Sequence, residues 1–426
     1  MKIAIAGYGV EGVSNYRYYA ADLTNEITIV DQRQPSLDIP TGVLTIIGQD
    51  ALDNLVGFDL VVRTAGLDPS KIKTDGKIWS ATNEFFAKCP APIIGVTGSK
   101  GKGTTASLIA SILREAGKKV WLVGNIGVAA LDVLADIKSE DIVVYELSSF
   151  QLWDIQASPH IAVVLFIEQE HLDVHDGMQD YVNAKARITH YQTSQDILVY
   201  NQTNQYAKTI AQHSSAQTIP YPDVSAAHIR DGSFYQAEQL ICSVDALQII
   251  GRHNQDNACA AIEAVWSLTN DREVIEKGFR SFTGLPHRLK FVREIEGVRY
   301  YDDSIATTPS SAIAALRAFD EPKVIILGGS SKGSDFSELA TELTHHKVRA
   351  ILIGAEAEKI AASCRKTGFT DFEIMVNPTA QTIVQRAHSV AHSGSVVLLS
   401  PASASFGLFK NYIDRGEQFV DAVEAL

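Results

Sequence analysis

The feature that most constrains this chain is an alternation: apolar runs of strand length, each followed by a segment of helix length, recur from its first residues to its last. KIAIAGYG, EITIVD, DLVVRTAG, PIIGVTGS, DIVVYELSS, IAVVLFIE, DILVYN, KVIILGGS, RAILIGA and SVVLLSP are continuous in their hydrophobicity. A strand that is apolar on both faces has to be covered on both, which predicts parallel sheets flanked by helices, an α/β fold. Such sheets present ligands to the loops after the C-terminal ends of their strands, so chemistry is to be sought there.

At 426 residues the chain is too long for one hydrophobic core. Pro and Gly interrupt the pattern at residues 89–92 (CPAP) and 283–288 (TGLPHR). These breaks predict three domains: a Rossmann-like domain over 1–88, a central parallel sheet of the phosphate-loop ATPase kind over 89–284, and a Rossmann-like domain over 285–426. Residues 214–242, with short runs and Tyr, Ser and Pro, predict irregular or antiparallel structure at the end of the middle domain.

Lys and Arg number 37 against 50 Asp and Glu, a net charge of -13 that disfavours nonspecific contact with nucleic acid. Any phosphate this chain binds has to be caught locally. Cys89, Cys242, Cys259 and Cys364 have no metal-ligand spacing and read as thiols of a reducing compartment. The chain starts on a strand without a signal-peptide pattern, and no apolar run is long enough to span a bilayer. The expectation is a cytosolic monomer without membrane contact.

The local catch for phosphate is plain. After the strand ending near Gly95 come Thr97, Gly98, Ser99, Lys100, Gly101, Lys102, Gly103, Thr104 and Thr105, and then the helical pattern ASLIASILREAG. Glycines let successive N–H groups face one anion, the helix N-terminus adds its positive end, and Lys102 neutralises β- and γ-oxygens. An ordinary strand-to-helix turn has no use for this density of lysine, glycine and threonine. The ligand predicted is ATP with Mg²⁺. Gly103 stands where Ser or Thr usually follows the lysine, which moves the metal-binding hydroxyl to Thr104.

Other strand ends carry further candidates. Glu146 closes DIVVYE, where a carboxylate can complete a Mg²⁺ shell. His171, Asp173 and His175 follow another strand, ahead of a helix carrying Lys185, and their spacing suits a metal site or an exposed loop equally. Gly7, Gly9 and Gly12 with Asp31 nineteen residues later meet the dinucleotide fingerprint. Literally that means NAD, but a UDP-sugar presents the same pyrophosphate and ribose. Asn254 and Asn257 open an apolar helix, where they either read an adenine edge or cap the helix. In the last domain, loops with Asp303, Thr307, Lys332, Ser405 and Arg415 suggest a second ligand surface.

Together GVTGSKGKGTT, ELSSFQL, EHLD, NAKARI, GRHNQDN, GLPHR and SPASASFGLFKNYIDRGEQF resemble the Mur ligase family, from Gly7 to about Phe419. The resemblance is greatest to members that join UDP-N-acetylmuramoyl-L-alanine to D-glutamate with ATP in peptidoglycan synthesis, through an acyl phosphate. It implies two Mg²⁺ ions, one on Thr104 and Glu146, the other on His171 and a carbamylated Lys185. It implies nucleotide contacts from Gly98 to Thr105 and from Asn254, Asn257, Arg288 and Asp303. It further implies UDP contacts from Val10, Glu11, Asp31, Arg33, Thr64 and Gly66, muramoyl contacts from Asn125, Ser148 and Gln151, and D-glutamate contacts from Thr307, Lys332, Ser405 and Tyr412. TAGL at residues 64–67 replaces the usual SPG, Ile305 stands where a lysine is common, and Lys100 where Asn is. A sister ligase with another amino acid, a folylpolyglutamate synthase, an NAD-dependent oxidoreductase and a catalytically silent nucleotide sensor are the rivals. The first domain argues against the second, the Lys102 loop against the third, and the retained metal residues against the fourth.

Overall fold

The computed structural model describes residues 1–426 except Asp173 and Lys332. It contains parallel sheets flanked by helices, as the continuous apolar runs require, and each of the ten runs named above forms a strand. The chain divides into two compact units: Met1–Leu247 with His253–Phe282, and Gln248–Arg252 with Thr283–Leu426.

The first unit holds two parallel sheets. One comprises β1 (Lys2–Ala6), β2 (Glu26–Asp31), β3 (Leu44–Ile47), β4 (Leu60–Arg63) and β5 (Lys77–Ser80), in the Rossmann-like order β3-β2-β1-β4-β5. Ile3, Ile5, Ile29 and Val62 pack on one face and Ala4, Ala6, Val30 and Val61 on the other. The next sheet comprises β6 (Ile93–Thr97), β7 (Val120–Gly124), β8 (Ile142–Glu146), β9 (Ile161–Val164), β10 (Ile197–Asn201) and β11 (Gln217–Tyr221), in the order β11-β10-β9-β6-β8-β7. With β6 inside, its following loop opens between neighbouring strand ends. Each fully buried Ile, Leu or Val contributes about 1.5–3 kcal/mol by leaving water.

Residues 214–242 are only partly antiparallel. β12 (Ala227–Arg230), β13 (Ser233–Gln236) and β14 (Gln239–Ser243) form a three-stranded antiparallel sheet, but β11 joins the parallel sheet as its edge. Pro220 masks that strand in the sequence, and the missing N–H is harmless at an edge.

The second unit has one sheet of β15 (Lys290–Ile295), β16 (Val298–Asp302), β17 (Lys323–Gly328), β18 (Val348–Ile353), β19 (Phe372–Met375) and β20 (Val396–Leu399), in the order β15-β16-β20-β17-β18-β19. Only the edge strand β15 is antiparallel. Ile325, Leu327 and Leu352 pack on one face and Val324, Ile326 and Ile353 on the other.

No helix among the described residues is long and apolar enough to cross a membrane. All four cysteines are free: Cys242, Cys259 and Cys364 are buried and Cys89 is partly so. Burial pushes the Cys242 thiol up to about 12 and the Cys364 thiol to about 11.

Candidate active site

The loop after β6 enters the helix Lys102–Glu115 through Gly101, whose φ of +88° lies in the left-handed region. A Cβ there would also stand 2.3 Å from Asn257 Oδ1, so only glycine fits. Lys102 Nζ donates to the carbonyls of Gly98 at 3.0 Å and Ser99 at 2.7 Å. Lys185 Nζ donates to the same Gly98 carbonyl at 2.7 Å, so two lysine amines converge on one oxygen. Thr104 and Thr105 are buried behind them, and the Thr105 hydroxyl has no hydrogen-bond partner among the described residues. Lys100 pairs with Glu168 at 2.6 Å.

Lys185 lies on the helix Gly177–Ala186, almost fully buried, with its Nζ 4.4 Å from the centre of the Tyr181 ring. Burial lowers its amine well below the usual lysine range. The charge of Lys102 adds to the effect, while Glu170 and Glu146 oppose it. The neutral amine is therefore favoured. Glu146, buried at the end of β8, stands where the sequence put it.

His171 has a φ of +56° and rests its ring 4.9 Å from that of Phe150 and 6.3 Å from that of Tyr181. Its Nε2 is 3.9 Å from Glu170 Oε2. His175 is a different case: it is buried, with Nδ1 bonded to Asp180 at 2.8 Å and Nε2 to Ser149 at 2.9 Å. Both nitrogens are engaged, so His175 is a packing residue; Asp173 lies outside the described residues. Among the described residues no group of three or more His, Cys, Asp or Glu could hold a metal.

Tyr181 is a site residue that motif reading overlooked. Its hydroxyl bonds Ser99 Oγ at 3.0 Å and Glu170 Oε2 at 3.2 Å, tying the phosphate loop to the segment of His171. The available signal was its position one helical turn before Lys185.

In the first domain, Asp31 organises the glycine loop, accepting the N–H of Tyr8 at 2.8 Å and of Arg33 at 3.0 Å. Glu11 accepts the N–H of Ala65 at 2.8 Å, and burial raises its carboxyl above the usual range. Val10 and Arg33 are exposed, and Thr64 donates its N–H to Ala6. Asn125 donates its N–H to the Glu146 carbonyl at 3.4 Å. Ser148 and Gln151 form a capping box at the start of the helix Ser149–Leu152, so their side chains are committed to one another.

A cleft of about 340 Å³ collects these parts: Ala65 and Gly66 of the first domain face Lys102, Asn125, Ser148, Phe150, Glu170, His171, Tyr181 and Lys185. Gln151 is not in its wall. Asn254 and Asn257 are buried, with Asn257 Nδ2 donating to Asn254 Oδ1 at 3.2 Å. Their helix begins at Arg252, so Asn254 sits inside the first turn and is not its cap.

In the second unit, Asp303 is buried and accepts from Ser400 Oγ at 2.7 Å and the N–H of Leu289 at 3.1 Å. Burial pushes its carboxyl up to about 7. The buried guanidinium of Arg415 holds Ser304 through its carbonyl at 2.7 Å and its hydroxyl at 2.9 Å, and reaches the Ser403 carbonyl at 3.1 Å. Ser405 is buried, Thr307 is partly exposed, and Tyr412 and Arg288 are exposed. Lys332 lies outside the described residues.

Parallel sheets, a phosphate loop and a cleft shared with a Rossmann-like domain define a class of nucleotide-using enzymes, and comparison narrows it. Residues 96–265 match the model of the Mur ligase middle domain, and residues 287–403 that of the Mur ligase glutamate ligase domain. The chain belongs to the Mur ligase family. It is 36% identical over 457 residues to the UDP-N-acetylmuramoylalanine--D-glutamate ligase of Acetivibrio thermocellus, covering 100% of this chain and 96% of that protein. It is 35% identical over 451 residues to the Clostridium tetani protein of the same name, covering 100% and 97%. Among solved structures, the UDP-N-acetylmuramate-alanine ligase of Thermotoga maritima shares the three-domain fold, with a TM-score of 0.65 at 17% identity over 100% of this chain and 99% of that one. The folylpolyglutamate synthase of Mycobacterium tuberculosis complexed with ADP has a TM-score of 0.58 at 14% identity, over 79% and 92%.

Proposed function

We propose that this chain is an ATP-dependent ligase that joins the amine of D-glutamate to the alanyl carboxylate of UDP-N-acetylmuramoyl-L-alanine, with release of ADP and phosphate, in peptidoglycan precursor synthesis. The observation that carries this reading is the meeting of Ala65 and Gly66 with Lys102 and Lys185 in one cleft. A carboxylate that is to be activated has to lie beside the phosphate that activates it. The full-length similarity to ligases of that name supports the choice of substrates.

In this reading Lys102 turns from the loop carbonyls to the β- and γ-oxygens of ATP, and the N–H groups of residues 98–105 cradle the phosphates. Asn254, Asn257, Arg288 and Asp303 hold the adenosine. Thr104 and Glu146 would hold one Mg²⁺, and His171 with Lys185 as its carbamate would hold a second. The carbamate is supported by the burial of Lys185, which lowers its amine below the usual lysine range and so favours the free amine that adds CO₂. Bound Mg²⁺ would offset charge on the transferring phosphoryl oxygens. Val10, Glu11, Asp31, Arg33, Thr64 and Gly66 take the uridine diphosphate, Asn125, Ser148 and Gln151 the muramoyl group, and Thr307, Lys332, Ser405 and Tyr412 the D-glutamate. The acceptor carboxylate attacks the γ-phosphorus, and the glutamate amine then displaces phosphate from the activated carbonyl. The cleft walls shield that carbonyl from water. Domain limits at residues 88 and 284 belong to the same reading. A cytosolic setting is supported by the four free cysteines.

The test is phosphate release from ATP with UDP-N-acetylmuramoyl-L-alanine and each candidate amino acid in turn. D-glutamate alone should support turnover; turnover with L-lysine and not D-glutamate would make this a sister ligase.

A further inference from the structure

We propose that Arg63 is a positioning residue for the nucleotide-sugar substrate, holding residues 64–67 at a fixed distance from the segment that follows Glu146. Arg63 ends β4 with its side chain fully buried. Its Nε donates to Asp154 Oδ2 at 2.9 Å, and Nη2 bonds the other carboxylate oxygen and the Phe150 carbonyl, the latter at 3.1 Å. Nη1 donates to the carbonyls of Thr64 at 3.3 Å, Ala65 at 3.4 Å and Leu67 at 3.2 Å. The whole donor fork of the guanidinium is spent on two short segments, 64–67 and 150–154.

Stability does not account for this arrangement. With the guanidinium fully buried and Asp154 only partly exposed, the pair loses much of its hydration, and an apolar pair of the same shape can serve stability as well. An apolar pair cannot, however, draw three carbonyls of one turn to a single point. Residues 64–67 contain no proline to stiffen them, and the guanidinium supplies the stiffness instead. With those carbonyls turned inward and the Ala65 N–H taken by Glu11, the turn offers Ala65 and Gly66 to the cleft.

The other end of the strut is equally fixed. Asn83 donates to the Asp154 carbonyl at 3.0 Å and accepts the N–H of Gln156 at 2.8 Å. Phe150 itself lines the cleft, a few residues after Glu146 ends β8. Arg63 therefore sets how far a ligand on Ala65 and Gly66 stands from a phosphate at Lys102. The inference rests on the function proposed above, which assigns residues 64–67 to the nucleotide sugar.

The experiment varies UDP-N-acetylmuramoyl-L-alanine and ATP separately in steady-state kinetics of wild type, Arg63→Lys and the double variant Arg63→Met with Asp154→Leu. Arg63→Lys keeps the charge opposite Asp154 but loses the planar fork. The double variant keeps the site filled without charge, and its thermal unfolding should stay near wild type. Both should raise the acceptor KM ~10-fold or more while the ATP KM stays within ~2-fold. An acceptor KM equal to wild type in either folded variant, or an ATP KM that rises in parallel, would overturn the proposal. Wild-type turnover on this acceptor separates the two ideas: its absence removes the function reading and the inference with it, whereas normal turnover with unaltered variants removes the inference alone.

Discussion

Two loops of this molecule follow one plan and end differently. Residues 7–12 and 97–105 each leave an inner parallel strand, turn through a glycine of positive φ, +87° at Gly7 and +88° at Gly101, and run into a helix. The first is rimmed by carboxylates, with Asp31 holding the Tyr8 amide and Glu11 holding the Ala65 amide. The second is rimmed by amines, with Lys102 and Lys185 on the Gly98 carbonyl. The shared plan explains why a glycine fingerprint reports only that a backbone can approach an anion. The rims differ in charge, and in the second it is Lys102 that is left to meet the phosphates once Lys185 is the carbamate proposed above.

That contrast is broken most directly at Lys185. Lys185→Ala is expected to lower kcat by ~10³-fold, as loss of a group acting on transition-state charge does, with part of the activity returning when acetate or chloride is added. Full activity without added anions would remove the carbamate at Lys185.

A paired glycine test follows. Gly101→Ala combines a left-handed φ with a Cβ 2.3 Å from Asn257, so a loss of about 1–3 kcal/mol in urea unfolding and a raised ATP KM are expected. Gly9→Ala meets nothing within 4 Å and has a φ of -91°. Its unfolding midpoint should stay at the wild-type value while the acceptor KM rises, because only a bound pyrophosphate would feel the methyl group.

A test that touches stability and neither KM concerns the helix Arg252–Trp266, which carries Asn257 against the second loop and Glu263 farther along. Burial lifts the Glu263 carboxyl from 4.5 to about 7, although it accepts hydrogen bonds from Ala227 and Gln236. The folded state then keeps a proton that the unfolded chain releases above pH 4.5. The stability is complete at lower pH and is lost as pH rises toward 7, by up to about 3 kcal/mol. Glu263→Gln should flatten that slope in urea midpoints taken from pH 5 to 8 and leave both KM values alone.

The inner strands and the motif residues were legible because both obey local rules: a strand covered on two faces is a continuous apolar run, and a loop that holds phosphate needs glycine and lysine in order. The edge strands were not. Leu44–Ile47 is mostly exposed, and Gln217–Tyr221 carries a proline, so neither bears a periodic signature. Among the candidate residues, Glu146, His171 and Lys185 stand out by position and residue type, whereas Arg63 and Tyr181 act through partners distant in sequence, Asp154 and Ser99. His175 misleads for the opposite reason, since a histidine between acids reads like a ligand until Ser149 and Asp180 are seen to occupy both nitrogens.

The burial of the thiols has a practical consequence for anyone who wishes to watch this molecule move. A maleimide needs a thiolate it can reach, and Cys242, Cys259 and Cys364 offer neither access nor ionisation. Cys89, the one partly accessible thiol, lies between the helix Ala81–Lys88 and β6, where the Rossmann-like sheet gives way to the phosphate-loop sheet. Burial raises the Cys89 thiol as well and it donates to the Ala91 carbonyl at 3.6 Å, so a label that reacts under native conditions would react slowly and first at that seam.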